Sequence, residues 1–337
     1  MPSIKPPPSL TSLHPSRGAL PARFRRERVL VVGCGDVGLR TVRLLRGRVS
    51  LIALTSSAQR VDELHAAGLR VVQGDLDRVT TLRRLAGLAT RVLHLAPPPA
   101  EQSAAGWRDP RTFALIAALR MRSAPQAFVY GSTSGVYGDG GGARVDESWP
   151  LLATTPRAMR RRDAEAVVRH WGRASVRSAS GRVRTSILRI PGIYAGDRVG
   201  GTPRERLLRG LPVLRAQEDV FTNHIHADDL ARACLRALWR RSAQRAFNIS
   251  DDSDLRMGDY YDLAADLYGL TRPARVSREE AERVLPPLTL SFMSESRRLV
   301  NQRMKDELRL RLRYPTVREG LAAGLVAPAA KHRVISR

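Results

Sequence analysis

A short apolar run, Arg28-Val29-Leu30-Val31-Val32, passes directly into Gly33-Cys34-Gly35-Asp36-Val37-Gly38. Val37, Thr41, Leu44 and Leu45 then recur at helical spacing up to Gly47. A buried strand, a Gly-x-Gly-x-x-Gly turn and a helix in that order constrain the chain more than any other feature. The three glycines serve different ends. Gly33 allows the tight turn, Gly35 allows close approach of the backbone to a pyrophosphate, and Gly38 allows close packing of helix on strand. The free N–H groups at the helix start, including those of Asp36 and Val37, favour phosphate oxygens. The expected ligand is therefore a dinucleotide.

The pattern that follows extends this unit. Further strands are predicted at Val49–Leu54, Leu69–Gln73, Arg91–Ala96, Ala127–Tyr130 and Thr185–Ile190, with helices near 58–67, 78–87, 111–122 and 157–171. Alternation of strand and helix predicts an α/β fold, a doubly wound parallel (Rossmann) sheet. Thr155 and Pro156 form a start signal for the fourth helix, as N-cap and first helical residue. After Ile190 the alternation weakens. A short helix is predicted over Pro203–Gly210, an amphipathic helix over Asp228–Arg241, a last strand over Ala246–Ile249, and helices near 258–269, 277–284 and 302–309. The expected organisation is a disordered tail over 1–27, a dinucleotide-binding domain over 28–190 and 224–250, a small, mainly helical lobe over 191–223 and 251–325, and a frayed end over 326–337.

The end of the second strand bears on which dinucleotide binds. An acidic residue there holds the ribose hydroxyls in NAD sites. Here the strand runs out through Leu54-Thr55-Ser56-Ser57 with Arg60 beyond. Hydroxyls and a guanidinium suit a 2′-phosphate better, which favours NADP over NAD. Arg60 also has a plainer reading, as one more exposed arginine.

Charge and cysteine content restrict the other function classes. The 337 residues carry a formal charge of +25, and all but three of the 57 basic residues are arginine. They are spread over nearly every segment, with no zinc-finger spacing, RNA-recognition signature or basic heptad region. A nucleic-acid-binding face gathers its charge beside a reading module, so nucleic-acid binding is the minor reading. No apolar run reaches the roughly 18 residues a bilayer demands. The two cysteines, Cys34 and Cys234, make no disulfide framework and fit a reducing, cytoplasmic setting. His224 and His226 share a face if they lie on a strand, but no third metal ligand is evident.

Several segments, taken in chain order, resemble the extended short-chain dehydrogenase/reductase superfamily, the NAD-dependent epimerase/dehydratase group. They are Gly74-Asp75-Leu76, His94-Leu95-Ala96, Gly131-Ser132-Thr133-Ser134-Gly135-Val136-Tyr137-Gly138, Leu188-Arg189-Ile190-Pro191-Gly192-Ile193-Tyr194 and Ile225-His226-Ala227-Asp228-Asp229-Leu230-Ala231. The resemblance covers about 28–250. It implies that Asp75 and Leu76 meet the adenine and that Leu95, Ala96 and Pro97 lie along the cofactor. It also implies that Pro191, Gly192 and Ile193 stand beside the nicotinamide, and that Thr133 is the active-site hydroxyl. A homodimer paired through Rossmann helices would be in keeping with the family.

One departure alters the expected chemistry. The family's Tyr-x-x-x-Lys pair, counted back from Glu165, falls on Arg157 and Arg161. A guanidinium stays protonated at ordinary pH, so Arg157 cannot serve as a neutral proton donor or a recovered base. Arg161 retains the capacity to donate to the nicotinamide ribose. Tyr137, with Tyr194 and His226 behind it, becomes the candidate acid beside Thr133. Two readings follow: an NAD(P)-dependent oxidoreductase or epimerase-type enzyme acting on a carbonyl or sugar-like small molecule, or a cofactor-binding regulator without that chemistry.

Overall fold

The computed structural model describes residues 27–99, 106–175, 182–241 and 244–326. The expectations for residues 1–26 and 327–337 fall outside the described residues. Seven parallel strands form the central sheet: β1 (Arg28–Val32), β2 (Ser50–Thr55), β3 (Arg70–Gln73), β4 (Arg91–His94), β5 (Ala127–Thr133), β6 (Arg184–Ile190) and β7 (Arg245–Asn248). Their order across the sheet is β3-β2-β1-β4-β5-β6-β7. The chain winds outward from β1 to β3, crosses back to β4 beside β1, and winds outward again. Right-handed crossovers with that order leave a crevice at the carboxyl ends of β1 and β4, where the direction of winding reverses.

Side-chain alternation explains the layering. Val29 and Val31 of β1 point to one face while Leu30 and Val32 point to the other, and Leu51/Ala53 and Ile52/Leu54 of β2 repeat the split. The first face is covered by α1 (Asp36–Leu45), through Val42 and Leu45, and later by the helix over Ala227–Trp239. The second is covered by α3 (Pro110–Arg120), through Leu115 and Leu119, and by α4 (Pro156–Ser175), through Ala164, Val168 and Trp171. Between β2 and β3 lies α2 (Val61–Ala66). The helix predicted near 78–87 is a 3-10 helix over Val79–Leu85 that buries only Leu82 and Leu85. Thr155 caps α4 as predicted, its hydroxyl accepting from the Ala158 N–H at 3.3 Å.

After β6 the chain adds α5 (Arg204–Leu208), α6 (Ala227–Trp239), α7 (Met257–Tyr268), α8 (Arg278–Val284), α9 (Pro287–Phe292), α10 (Gln302–Glu307) and α11 (Val317–Val326). The helices α9 and α11 are absent from the sequence-based expectations. So are the two-residue ribbons that fasten this part, such as Arg144–Val145 on Arg298–Leu299 and Val213–Leu214 on Arg275–Val276. Small apolar clusters of their own hold these segments, one around Tyr194, Tyr260 and Leu321, another around Leu214, Ala281 and Met293. No helix among the described residues is long and apolar enough to cross a membrane.

Candidate functional site

The glycine loop ends β1 in the crevice. Gly33 has φ +85°, and a Cβ there would stand 2.2 Å from the Ala96 backbone nitrogen, so glycine alone fits. Gly38, in the first turn of α1, would bring a Cβ to 3.1 Å from the Gly33 carbonyl oxygen. At Gly35 a Cβ would meet nothing within 4 Å. The chain's own packing therefore demands Gly33 and crowds any side chain at Gly38, whereas Gly35 borders open space at the start of a ten-residue helix.

That space is a cleft of about 320 Å³ lined by Gly33, Gly35, Asp36, Val37 and Gly38 on one side. Leu95, Thr133 and Arg161 line it from the neighbouring strands and α4, and Pro191 and Ile193 close its far end. The sequence pointed to all ten. The carboxylate of Asp36 does not confront an incoming phosphate alone: Arg40 donates to it at 3.0 Å and Arg198 stands 3.6 Å away. Thr55, Ser56, Arg60, Asp75, Leu76, Ala96 and Pro97 lie outside this lining, at or just beyond the ends of β2, β3 and β4. Arg60 reaches back to the glycine loop, donating to the Cys34 carbonyl oxygen at 2.8 Å while pairing with Glu63. The side chain of Leu76 packs against the core, and the Asp75 carboxylate accepts from the Asp77 N–H.

A second, larger cavity of about 720 Å³ shares Thr133, Pro191, Ile193 and Arg198 with the first and opens toward α5, α7 and α9. Gly192 belongs to it. Thr133 thus stands at the junction. Its Oγ1 accepts from the Gly135 N–H at 3.2 Å, which leaves its own O–H free to donate. Arg157 and Arg161, one turn apart on α4, line the larger and the smaller cavity respectively. Arg161 Nη1 donates to the Gly131 carbonyl oxygen at 2.6 Å and to the Tyr130 hydroxyl at 3.3 Å, so its guanidinium is anchored at the end of β5. Arg157 lies over the Phe292 ring, 4.5 Å from its centroid.

The structure corrects the choice of Tyr137. It is 1% exposed and lines neither cavity. Its hydroxyl donates to Asn248 Oδ1 at 2.7 Å and accepts from Arg189 Nη1 at 2.8 Å. Burial pushes this phenol up to about 12, against a smaller opposing pull from the Arg189 charge. His226 is likewise occupied elsewhere: it caps α6, accepting from the Asp228 N–H, and its ring packs on Tyr314 at 4.0 Å. Tyr194 does line the larger cavity, but its hydroxyl donates to the Thr316 carbonyl oxygen. The histidine that reaches the cavity is His224, stacked on Tyr260 at 4.2 Å with its Nδ1 unpartnered, and burial pushes its imidazole down to about 4. No group of three or more potential ligands that could hold a metal occurs among the described residues.

Sequence reading missed Arg198, Arg206, Glu295, Phe292 and Arg297, all of which line the larger cavity. No local pattern marks them, since they come from separate turns of a chain in which arginine is everywhere.

These features match a known family. The model of the NAD dependent epimerase/dehydratase family matches residues 29–250, and the chain belongs to that family. Its structure is similar to that of a conserved protein of unknown function from Silicibacter pomeroyi DSS, at 26% identity and TM-score 0.69, over 88% of this chain and 97% of the other. It shares its fold with MoeE5 in complex with UDP-glucose and NAD (22% identity, TM-score 0.68, 88% and 97% covered). The same holds for the human epimerase family protein SDR39U1, isoform 2, with NADPH (17% identity, TM-score 0.68, 88% and 98% covered). Comparison with curated proteins gave no match.

Proposed function

We propose that the chain binds a nicotinamide dinucleotide, NADP in preference to NAD, in the glycine-loop cleft, and that it is an oxidoreductase or epimerase-type enzyme whose small-molecule substrate occupies the larger cavity. The observation that carries this reading is the place of Thr133, the one hydroxyl side chain lining both cavities among the described residues. Gly33 to Gly38 would hold the pyrophosphate, and the open space beside Gly35 is the cradle a Cβ would fill. Thr55, Ser56 and Arg60 would hold the 2′-phosphate end, Asp75 and Leu76 the adenine, and Leu95, Ala96 and Pro97 the middle. Arg161 would donate to the ribose next to the nicotinamide, and Pro191, Gly192 and Ile193 would bound the ring. When bound, the dinucleotide supplies a hydride acceptor or donor. The free O–H of Thr133 would polarise a substrate carbonyl or orient an alcohol. Residues 28–190 and 224–250 form the cofactor domain in this reading, and 191–223 and 251–325 the substrate lobe. The solved neighbours with NAD and NADPH support the cofactor class.

A cofactor-binding regulator is the second reading, favoured by one observation: Arg157 and not tyrosine stands beside Thr133, and no ordinary pH deprotonates it. The deciding experiment titrates the purified full chain with NADPH, NADP⁺, NADH and NAD⁺, following nicotinamide fluorescence or heat. The expected result is saturable binding with NADPH tighter than NADH. Absence of binding by all four would overturn the cofactor assignment. Binding without turnover over a broad panel of carbonyl compounds and sugars would favour the regulator.

A further inference from the structure

The charge balance of the larger cavity identifies what class of substrate it takes. Four guanidiniums line it, from Arg157, Arg198, Arg206 and Arg297, against one carboxylate, Glu295. One of the four is paired within the protein, Arg297 with Glu295 at 2.9 Å, and a second, Arg198, faces the Asp36 carboxylate at 3.6 Å without a hydrogen bond. A third is committed differently. Arg206 donates to the Pro212 carbonyl oxygen at 2.8 Å and covers the Tyr261 ring at 4.6 Å, so its fork braces the wall. Arg157 alone has neither a carboxylate nor a carbonyl partner among the described residues. Its contact is the Phe292 ring, and it lines the cavity together with Thr133, Ser134 and Gly135. It is also the second residue of the 20-residue α4, where the helix dipole adds to its positive potential. Five aromatic rings, from Tyr194, Phe221, Tyr260, Tyr261 and Phe292, stand in the rest of the wall among glycines and hydroxyl or amide side chains such as Thr202, Thr222 and Asn223.

We propose that this cavity recognises an organic acid with an apolar body, its carboxylate paired to Arg157, its carbinol or carbonyl at Thr133, and its body against the aromatic wall. This rests on the reading of Thr133 as the substrate hydroxyl. A single uncommitted guanidinium fork matches one planar carboxylate in a bidentate pair. A diphosphate would set much of its charge against the Glu295 and Asp36 carboxylates that face Arg297 and Arg198. The arginine that removes the family's proton-transfer residue thereby becomes the group that selects the substrate.

The test uses the full chain and three probes, 3-phenyllactate, its uncharged amide, and uridine diphosphate, each titrated calorimetrically with and without saturating NADP⁺. The acid is expected to bind wild type at least about ten-fold tighter than the amide, the range of one charge-assisted pair. In Arg157→Met the acid should fall to the level of the amide, and in Arg157→Lys part of the preference should return. Acid and amide binding alike, failure of the acid to bind, or tighter binding of uridine diphosphate than of the acid would each overturn the proposal. The wild-type comparison of acid with amide stands even where a variant fails to fold. NADPH titrated into the same preparation tests the cofactor assignment separately. An acid preference without NADPH binding would sink that assignment and leave the acid site, whereas NADPH binding without the preference would do the reverse.

Discussion

Gly33 and Gly35 differ in what a methyl group would do, and the difference separates folding from binding. At Gly33 alanine would need φ +85° and would drive its Cβ into the Leu95–Ala96 backbone just past β4, 2.2 Å from the Ala96 nitrogen. Gly33→Ala should therefore unfold the loop region, with a loss of several kcal/mol visible as a drop in thermal midpoint. Gly35 has φ −82° and open space around the missing Cβ, a conformation alanine adopts freely. Gly35→Ala should leave the midpoint within a few degrees of wild type while weakening NADPH binding about ten-fold or more, because the methyl occupies the pyrophosphate's place. An unchanged NADPH affinity in Gly35→Ala would mean that the cofactor lies elsewhere. Thr133→Val gives a complementary result, since it keeps shape and removes the donor: turnover should drop about 10²-fold with NADPH binding held, as single-turnover and binding measurements would read. The glycines were legible because a turn writes its backbone requirement into adjacent residues. Tyr137 was not. Its burial depends on Arg189 and Asn248, 52 and 111 residues away, and no local pattern encodes that contact.

Among the elements, α4 joins site to scaffold. Its start was written locally in Thr155 and Pro156, whereas the inward face of Ala164 and Val168 emerges from the fold. Its main polar tie was not: Glu165, fully buried, receives two hydrogen bonds from the equally buried Arg189 of β6, at 3.1 and 2.8 Å. Arg189 continues the network to Tyr137, and Tyr137 to Asn248 of β7. Glu165→Ala would leave a guanidinium buried without its counter-charge. The expected cost is roughly 3–5 kcal/mol, read from urea unfolding, whereas the double variant Glu165→Leu/Arg189→Met should recover much of it. A cost of Glu165→Ala within experimental error would show that solvent or another side chain already supports Arg189. The short elements of the lobe were beyond sequence reading for a different reason. Two turns or fewer carry no periodicity, and α9 is held by tertiary contacts around Met293 and Leu290. The site's aromatic and basic wall shares this property, being assembled from single residues of separate short elements.

For the whole molecule, buried titratable groups set how stability responds to pH, and His94, His224 and Asp251 are among those shifted furthest. His94 and His224 are buried, and their imidazoles are pushed down to about 3 and about 4; burial dominates in both, with Arg161 and Arg111 adding repulsion at His94. In the unfolded chain each returns to about 6.5. Below that pH the unfolded state binds more protons than the native one, so each histidine contributes stability that is present above pH 6.5 and lost as the pH falls toward 4. Asp251, beside the larger cavity's wall at the end of β7, works in the opposite sense. Burial pushes its carboxyl up to about 8, while in the unfolded chain it titrates near 4. Between those values the native state holds the extra proton, so its contribution is full below pH 4 and is lost as the pH rises to 8. From pH 6.5 to 8 release of the Asp251 proton should make stability fall with rising pH. From pH 6.5 to 5 the two histidines and His226, whose imidazole burial also lowers, lose stability as the pH falls, while Asp251 and the raised carboxyls of Asp109, Glu147 and Asp219 oppose them. Both slopes are read from the urea midpoint against pH at constant ionic strength. Asp251→Asn isolates its contribution: the alkaline fall should shrink, and stability should drop more steeply toward acid by about 1.36 kcal/mol per pH unit, because this carboxyl no longer opposes the histidines. An acid slope unchanged by Asp251→Asn would place the proton uptake on other groups.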